Sequence, residues 1–181
     1  MNSDRKLFLF IACSIDGYIA RPDGDISWLS RVEAPGEDYG YARFMDQVDT
    51  VVLGRKTYDK VLEMGVEMPY TGKSVYVLTR QHRVPEGNVR FVNQPVDRLL
   101  DDIRSQPGKH IYCDGGAELV RQFLAFGLVD EMIISIIPVL LGDGIRLFQT
   151  GTMESGWELL DTKSFASGLV QLHYRQARKN S

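Results

Sequence analysis

Four short stretches of this chain carry residue types that can do chemistry at a strand end. Leu53-Gly54-Arg55-Lys56-Thr57 places a glycine before two bases and a hydroxyl. Glycine lets backbone approach a ligand closely, and the start of a following helix offers unpaired N–H groups and a positive dipole end. A phosphate would be held there; a plain strand-to-helix turn with solvated bases is the other reading. Tyr112-Cys113-Asp114-Gly115-Gly116-Ala117-Glu118 sets two adjacent glycines between an apolar run and an amphipathic stretch. It is neither a GxGxxG fingerprint nor a Walker A loop, which needs a following Lys-Ser/Thr. A tight turn between strand and helix would use the same Gly-Gly pair. Val77-Leu78-Thr79-Arg80 brings Arg80 to a third strand end, where it and Arg55 can converge on one anion. A 2′-phosphate is the natural candidate, which would select NADPH over NADH; two unrelated surface arginines are the other reading. Finally, Ser14-Ile15-Asp16-Gly17 puts Asp16 just past a buried strand, where a carboxylate can bind a polar substrate group or relay a proton; an Asp-Gly turn is the structural alternative.

Two further side chains are candidates for substrate contact. Trp28 offers a stacking surface or a core aromatic. Ser135 is the lone hydroxyl of the apolar run Met132–Ile137, facing a ligand or satisfied by nearby backbone. Cys13 and Cys113 are the only cysteines, and neither stands in a CxxC or Cys/His cluster. A structural metal site is not expected. Both read as thiols of a reducing compartment.

The elements that must position these residues follow from apolar patterning. Leu7–Cys13 is a continuous apolar run, as in a strand covered on both faces. Arg5 and Lys6 before it mimic a secretory leader, but the run is short and no small-residue spacer follows, so a first strand is the better reading. Asp16–Leu29, with Gly17, Pro22 and Gly24, reads as a long loop. Helices are expected over Tyr39–Val48, Lys56–Leu62, Val96–Ser105 and Glu118–Phe126, and strands over Thr50–Leu53, Val75–Thr79, Val89–Val92, His110–Cys113 and Glu131–Pro138. Glu158–Phe165 and Leu169–Ala177 flank Ser167-Gly168 and read as a closing hairpin. Strand–helix alternation points to an α/β fold whose sheet is mostly parallel, eight-stranded, with an antiparallel edge.

The 181 residues suit a single domain, spanning 1–181. A net charge of −3 with no basic run argues against nucleic-acid binding, and no apolar stretch is long enough to span a membrane. The expected address is the cytoplasm. Apolar Val139-Leu140-Leu141 and the hairpin are candidates for a homodimer surface, core being the alternative.

Together these motifs resemble a family. Ser14-Ile15-Asp16-Gly17-Tyr18-Ile19-Ala20 is similar to the S-x-D-G-x-I-A signature of the RibD C-terminal reductase domain of riboflavin biosynthesis. Asp49–Tyr58 resembles the strand–GR-x-T–helix unit shared with dihydrofolate reductases, and Ile111–Gly116 followed by Glu118–Phe126 their strand–Gly-Gly–helix unit. Val129–Glu131 through Pro138–Gly144 resembles the later strand and loop. The resemblance runs from about residue 6 to 177. It implies a dihydrofolate-reductase-like three-layer α/β/α fold and a stand-alone reductase that delivers hydride from NADPH to a small heterocyclic or ribosylamino-pyrimidine substrate. It also implies roles: Ala12 and Cys13 lining the nicotinamide with Ile19 also against the cofactor, and Gly54, Arg55, Lys56 and Thr57 on the adenosine-side phosphates. Leu78, Thr79 and Arg80 would lie near the adenine ribose, and Gly115, Gly116, Ala117 and Glu118 would cradle the pyrophosphate. In dihydrofolate reductases the Gly-Gly bond is typically cis.

One departure stands out. Dihydrofolate reductases carry a pterin-binding acid on the first helix, whereas Asp38-Tyr39-Gly40-Tyr41-Ala42-Arg43-Phe44 has none in phase. Asp16 is then the polar candidate on the substrate side. Dihydrofolate reduction, or a non-catalytic NADPH-binding protein on the same scaffold, are the competing readings.

Overall fold

The structure is a computed structural model that describes residues 5–63, 65 and 69–177. Among these residues it has ten strands and four α-helices: β1 Leu7–Ser14, β2 Tyr18–Ala20, α1 Tyr41–Met45, β3 Val48–Gly54, α2 Arg55–Glu63, β4 Ser74–Leu78, β5 Val89–Val92, α3 Val96–Arg104, β6 His110–Gly115, α4 Ala117–Ala125, β7 Glu131–Ile137, β8 Ile145–Arg146, β9 Trp157–Ser164 and β10 Val170–Gln176. A 3₁₀ turn covers Ser27–Val32.

Eight strands form one sheet in the order β5-β4-β3-β6-β1-β7-β10-β9. The pairings from β5 to β7 are parallel, and β10 runs antiparallel to both β7 and β9. The mostly parallel sheet with an antiparallel edge, expected from the alternation of elements, is what the chain forms.

Period-two alternation sorts the strands' side chains onto two faces. Leu7, Leu9, Cys13, Val52, Ile111 and Cys113 pack with Leu99, Leu100 and Ile103 of α3 and Leu119, Val120 and Phe123 of α4. Phe8, Val51, Leu53, Val75, Val77 and Tyr112 pack on the other face with Phe44 of α1 and Tyr58 of α2. These are the three layers. Beyond the carboxyl end of β1, Trp28 and Val32 of the 3₁₀ turn close over Ile137 and Leu169.

Two local readings change. The first helix is shorter than its periodicity suggests. Gly40 turns left-handed at its start with φ +80°, the Asp38 carboxylate accepts the N–H groups of Gly40 and Ala42, and Val48 already belongs to β3. The stretch Asp16–Leu29 is not wholly irregular. It holds β2, which pairs with β8 as a separate two-stranded sheet, and the 3₁₀ turn.

Candidate functional site

Ligands of open α/β sheets bind beyond the carboxyl ends of the strands. Here β3 and β6 are parallel neighbours, and each runs directly into a helix. β3 ends at Gly54 and α2 starts at Arg55; β6 ends at Gly115 and α4 starts at Ala117. Since α2 and α4 lie on opposite faces, their N-termini meet across one sheet edge. The first N–H groups of each helix have no partner within it.

The two glycine turns come very close. Gly115 and Gly116 have φ of +112° and +87°, a region that side chains rarely adopt. A Cβ on Gly116 would stand 3.1 Å from Thr57 Oγ1 and 3.8 Å from Gly54 Cα. The lack of a side chain at Gly116 therefore lets the two helix starts approach this closely. Ala117 is buried behind it, while the Gly115–Gly116 bond is trans, unlike the cis bond typical of dihydrofolate reductases. A groove between two such turns, with backbone donors and two dipole ends, would suit a pyrophosphate.

The basic residues surround it. Lys56 is exposed and Arg55 partly so. Gly54 pairs with Leu78 across β3 and β4, so Arg80 and Arg55 leave from adjacent strand ends. Thr79 is buried, and its hydroxyl accepts the Gln81 N–H to shape that turn. Glu118 turns away from the groove onto its own helix. It accepts two hydrogen bonds from Arg121 and one from Gln122, which hold its carboxyl down at about 2. Its acid is thus engaged on its own helix.

At the end of β1, Cys13 is buried and Ala12 and Ile19 are partly enclosed. Burial, with the Asp16 charge adding to it, pushes the Cys13 thiol up to about 11, so it stays neutral. Asp16 itself is a loop clamp. Its carboxylate accepts from the Ser14 hydroxyl at 2.6 Å, Leu141 N–H at 3.1 Å and Gly142 N–H at 2.7 Å. These bonds, the serine's foremost, hold it at about 2. An acid that stays ionised at neutral pH does not donate protons there, so geometry gives Asp16 a positioning part.

Trp28 and Ser135 lie inside the core rather than on a pocket wall. Trp28 is 3% exposed, packed among Val32, Ile137 and Leu169. Ser135 is 4% exposed, and its hydroxyl accepts from Gln171 at 3.1 Å.

A different group stands on the substrate face, next to the Gly-Gly turn. Asp114, the penultimate residue of β6, shares a face with Tyr112 by strand alternation. It accepts the hydroxyl of Tyr70 at 2.5 Å and that of Tyr112 at 2.7 Å. Burial raises the Asp114 carboxyl and the two tyrosine bonds partly offset this. Tyr41, at the start of α1, feels the same carboxylate: burial first, then the Asp114 charge, pushes its hydroxyl up to about 12. The buried acid on this face thus comes from β6, not from α1. Sequence reading passed over it because Tyr41, Tyr70 and the Tyr112–Asp114 pair come from three separate places in the chain, and Asp114 alone looks like part of a turn. The described residues hold no cluster of His, Cys, Asp and Glu able to bind a metal, and no helix long and apolar enough to cross a membrane.

Comparison with known proteins agrees with this layout. The RibD C-terminal domain profile matches residues 5–171. The uncharacterized protein YwjB of Bacillus subtilis is 42% identical over 175 residues, 96% of this chain and 99% of that protein. Dihydrofolate reductase HdrB of Haloferax volcanii is 32% identical over 127 residues, 67% of this chain and 62% of its own. Among solved structures, a candidate riboflavin biosynthesis protein of Shewanella sp. PV-4 superposes with a TM-score of 0.88 at 34% identity, covering 96% of this chain and 99% of that one. The shared scaffold, the paired glycine turns and the match over nearly all of the sequence lead to one conclusion: the chain belongs to the RibD C-terminal domain family.

Proposed function

We propose that the protein is an NADPH-dependent reductase that transfers a hydride to a small planar heterocycle, of the 5-amino-6-(5-phosphoribosylamino)uracil type. The observation that carries this reading is the close approach of Gly54 and Gly115-Gly116, two glycine turns that each lead into a helix N-terminus at one sheet edge. When bound, the dinucleotide supplies the hydride; the protein supplies orientation and electrostatics. The first N–H groups of α2 and α4 hold the pyrophosphate. Ala12, Cys13 and Ile19 wall the nicotinamide end, and a neutral Cys13 thiol adds no charge beside it.

On the substrate side, Asp114 takes the role first expected of Asp16. Its raised pKa lets the carboxyl keep a proton to higher pH than an ordinary carboxylate, and Tyr70 and Tyr112 fix its orientation. Asp16 keeps the loop at Leu141 and Gly142 against the end of β1. The same reading sets the protein in a reducing cytoplasm, where Cys13 and Cys113 remain thiols, and makes it a homodimer.

Fluorescence titration with NADPH tests the cofactor. Saturable quenching or energy transfer at micromolar cofactor is expected, and no binding at high micromolar NADPH would sink the reading. Oxidation of NADPH is then followed against heterocyclic substrates, starting with the phosphoribosylamino-uracil. The similarity to HdrB favours dihydrofolate as a second substrate. The absence of an acid within α1 weighs against it. Turnover of dihydrofolate would decide between them.

A further inference from the structure

We infer that Tyr39 is a positioning residue for the substrate face: it pins the start of α1, and with it Tyr41, to the tip of the β9–β10 hairpin. The inference rests on the reductase reading above, because Tyr41 and Asp114 stand on that face. Helix α1 has five residues and one buried side chain, Phe44. So short a helix has no stability of its own, and its place is set by Phe44 and by whatever holds its two ends. At its end, the Lys73 ammonium donates to the Met45 carbonyl at 2.8 Å and to the Val48 carbonyl at 2.7 Å. At its start, the chain runs through two left-handed residues, Tyr39 at φ +56° and Gly40 at φ +80°. Glycine adopts this backbone freely, but a bulky aromatic residue does not. Among the described residues, Tyr39 is the only one other than glycine to do so. Strained backbone of this kind persists where its surroundings over-determine it, and it gathers at functional sites.

Three separate elements hold Tyr39. Its hydroxyl donates to the Val32 carbonyl of the 3₁₀ turn and lies 2.9 Å from the Ser167 hydroxyl at the hairpin tip. Its ring meets Phe165, on the same tip, edge-on at 4.8 Å. Its carbonyl accepts from the Gln171 amide of β10 at 3.2 Å, and the same nitrogen donates to Ser135 of β7 at 3.1 Å. Gln171 and Ser135 are both buried, so this link reaches into the core. Ser135, a candidate substrate contact by sequence, is thereby an anchor for α1. Two residues after Tyr39, the Tyr41 ring stands edge-on to Phe10 at 5.7 Å and to Tyr112 at 6.5 Å. Its hydroxyl lies in the field of Asp114. A change at Tyr39 is therefore carried to the aromatic wall beside that acid, while the glycine turns at Gly54 and Gly116 are held by other contacts.

The intact protein with ring-labelled tyrosine gives a readout that needs no substrate. NMR of the tyrosine ring signals, assigned with Tyr41→Phe and Tyr70→Phe, follows Tyr41 directly. Tyr39→Phe keeps the ring and removes the hydroxyl; Ser167→Ala removes one of that hydroxyl's partners at the hairpin tip. The Tyr41 signal should shift in both variants at neutral pH. Turnover of the heterocycle should show KM raised about fivefold in Tyr39→Phe, the loss of about one hydrogen bond's worth of positioning, with kcat and NADPH affinity unchanged. A melting temperature that falls while the Tyr41 signal and KM stay put makes Tyr39 a packing residue only and overturns the inference. Should Tyr39→Phe fail to fold, Ser167→Ala decides by the same two measurements. Should the wild type bind NADPH yet reduce no heterocycle, the reductase reading fails by itself. A shifted Tyr41 signal in Ser167→Ala then still upholds the pin between hairpin and α1, and an unshifted one overturns it.

Discussion

At the scale of single residues, two aspartates that look alike in sequence sit in opposite environments. Both stand at the end of a buried strand beside a glycine. Asp16 sits among hydrogen-bond donors and is held down at about 2; Asp114 sits among tyrosines in an enclosed place and is pushed up. Environment, not residue type, separates the two roles. The linkage sign differs accordingly. Asp16, depressed from 3.8, adds stability that is present above that value and is lost as pH falls through about 2. Asp16→Asn is therefore expected to lower the urea midpoint at pH 7, with the gap to wild type closing near pH 2. A gap that stays constant with pH would count against the clamp. Asp114, raised from 3.8, works the other way: its contribution is greatest below the ordinary carboxyl range and declines as pH rises through its folded value.

At the scale of elements, the groove depends on two strand–helix units whose turns nearly touch. Gly116→Ala tests that arrangement directly. A Cβ there meets Thr57 Oγ1 at 3.1 Å on a backbone at φ +87°. The expected cost is at least about 1 kcal/mol of stability, together with loss of NADPH binding, read by denaturation and by cofactor fluorescence. Retained affinity would mean that the groove is not the pyrophosphate site. These units were legible in the sequence because each is local: an apolar run, a glycine, then an amphipathic stretch. Val89–Val92 was readable to its ends, and the hairpin to within a residue at each end. What escaped was non-local. β2 has three residues and β8 two, too few for any periodicity, and the contacts that tie them together, the Asp16 clamp, Leu147 N–H on the Gly17 carbonyl and Arg146 on Tyr18, all span more than 120 residues. Trp28 and Ser135 were ambiguous for the same reason, since what covers them comes from the 3₁₀ turn, β10 and the far side of the hairpin.

At the scale of the whole molecule, the sheet is covered unevenly. Helices α3 and α4 pack on β1, β3 and β6 and bury Met132 and Ile134 of β7, but among the described residues no helix packs extensively on the same face of β10 and β9. Met132, Tyr174 and Leu159 are cross-strand neighbours in one row of that face, and Phe148 and Met153 border it. Leu159 is 55% exposed, Met153 57% and Phe148 44%, a concentration of apolar surface that a monomer rarely leaves open. It continues to β9, the outermost strand, whose free edge adds unpaired backbone groups. A second copy of the chain, packed by a two-fold axis, covers such a face with its own equivalent. The homodimer proposal therefore belongs to this face rather than to Val139-Leu140-Leu141, where Val139 and Leu141 already pack against the 3₁₀ turn's cluster and only Leu140 is left strongly exposed. Light scattering after size exclusion should give twice the chain mass for the wild type and the chain mass for Leu159→Glu, with unchanged thermal stability of the fold in dilute solution. A monomeric wild type would refute the dimer. A Leu159→Glu variant that stays dimeric would move the interface off this face.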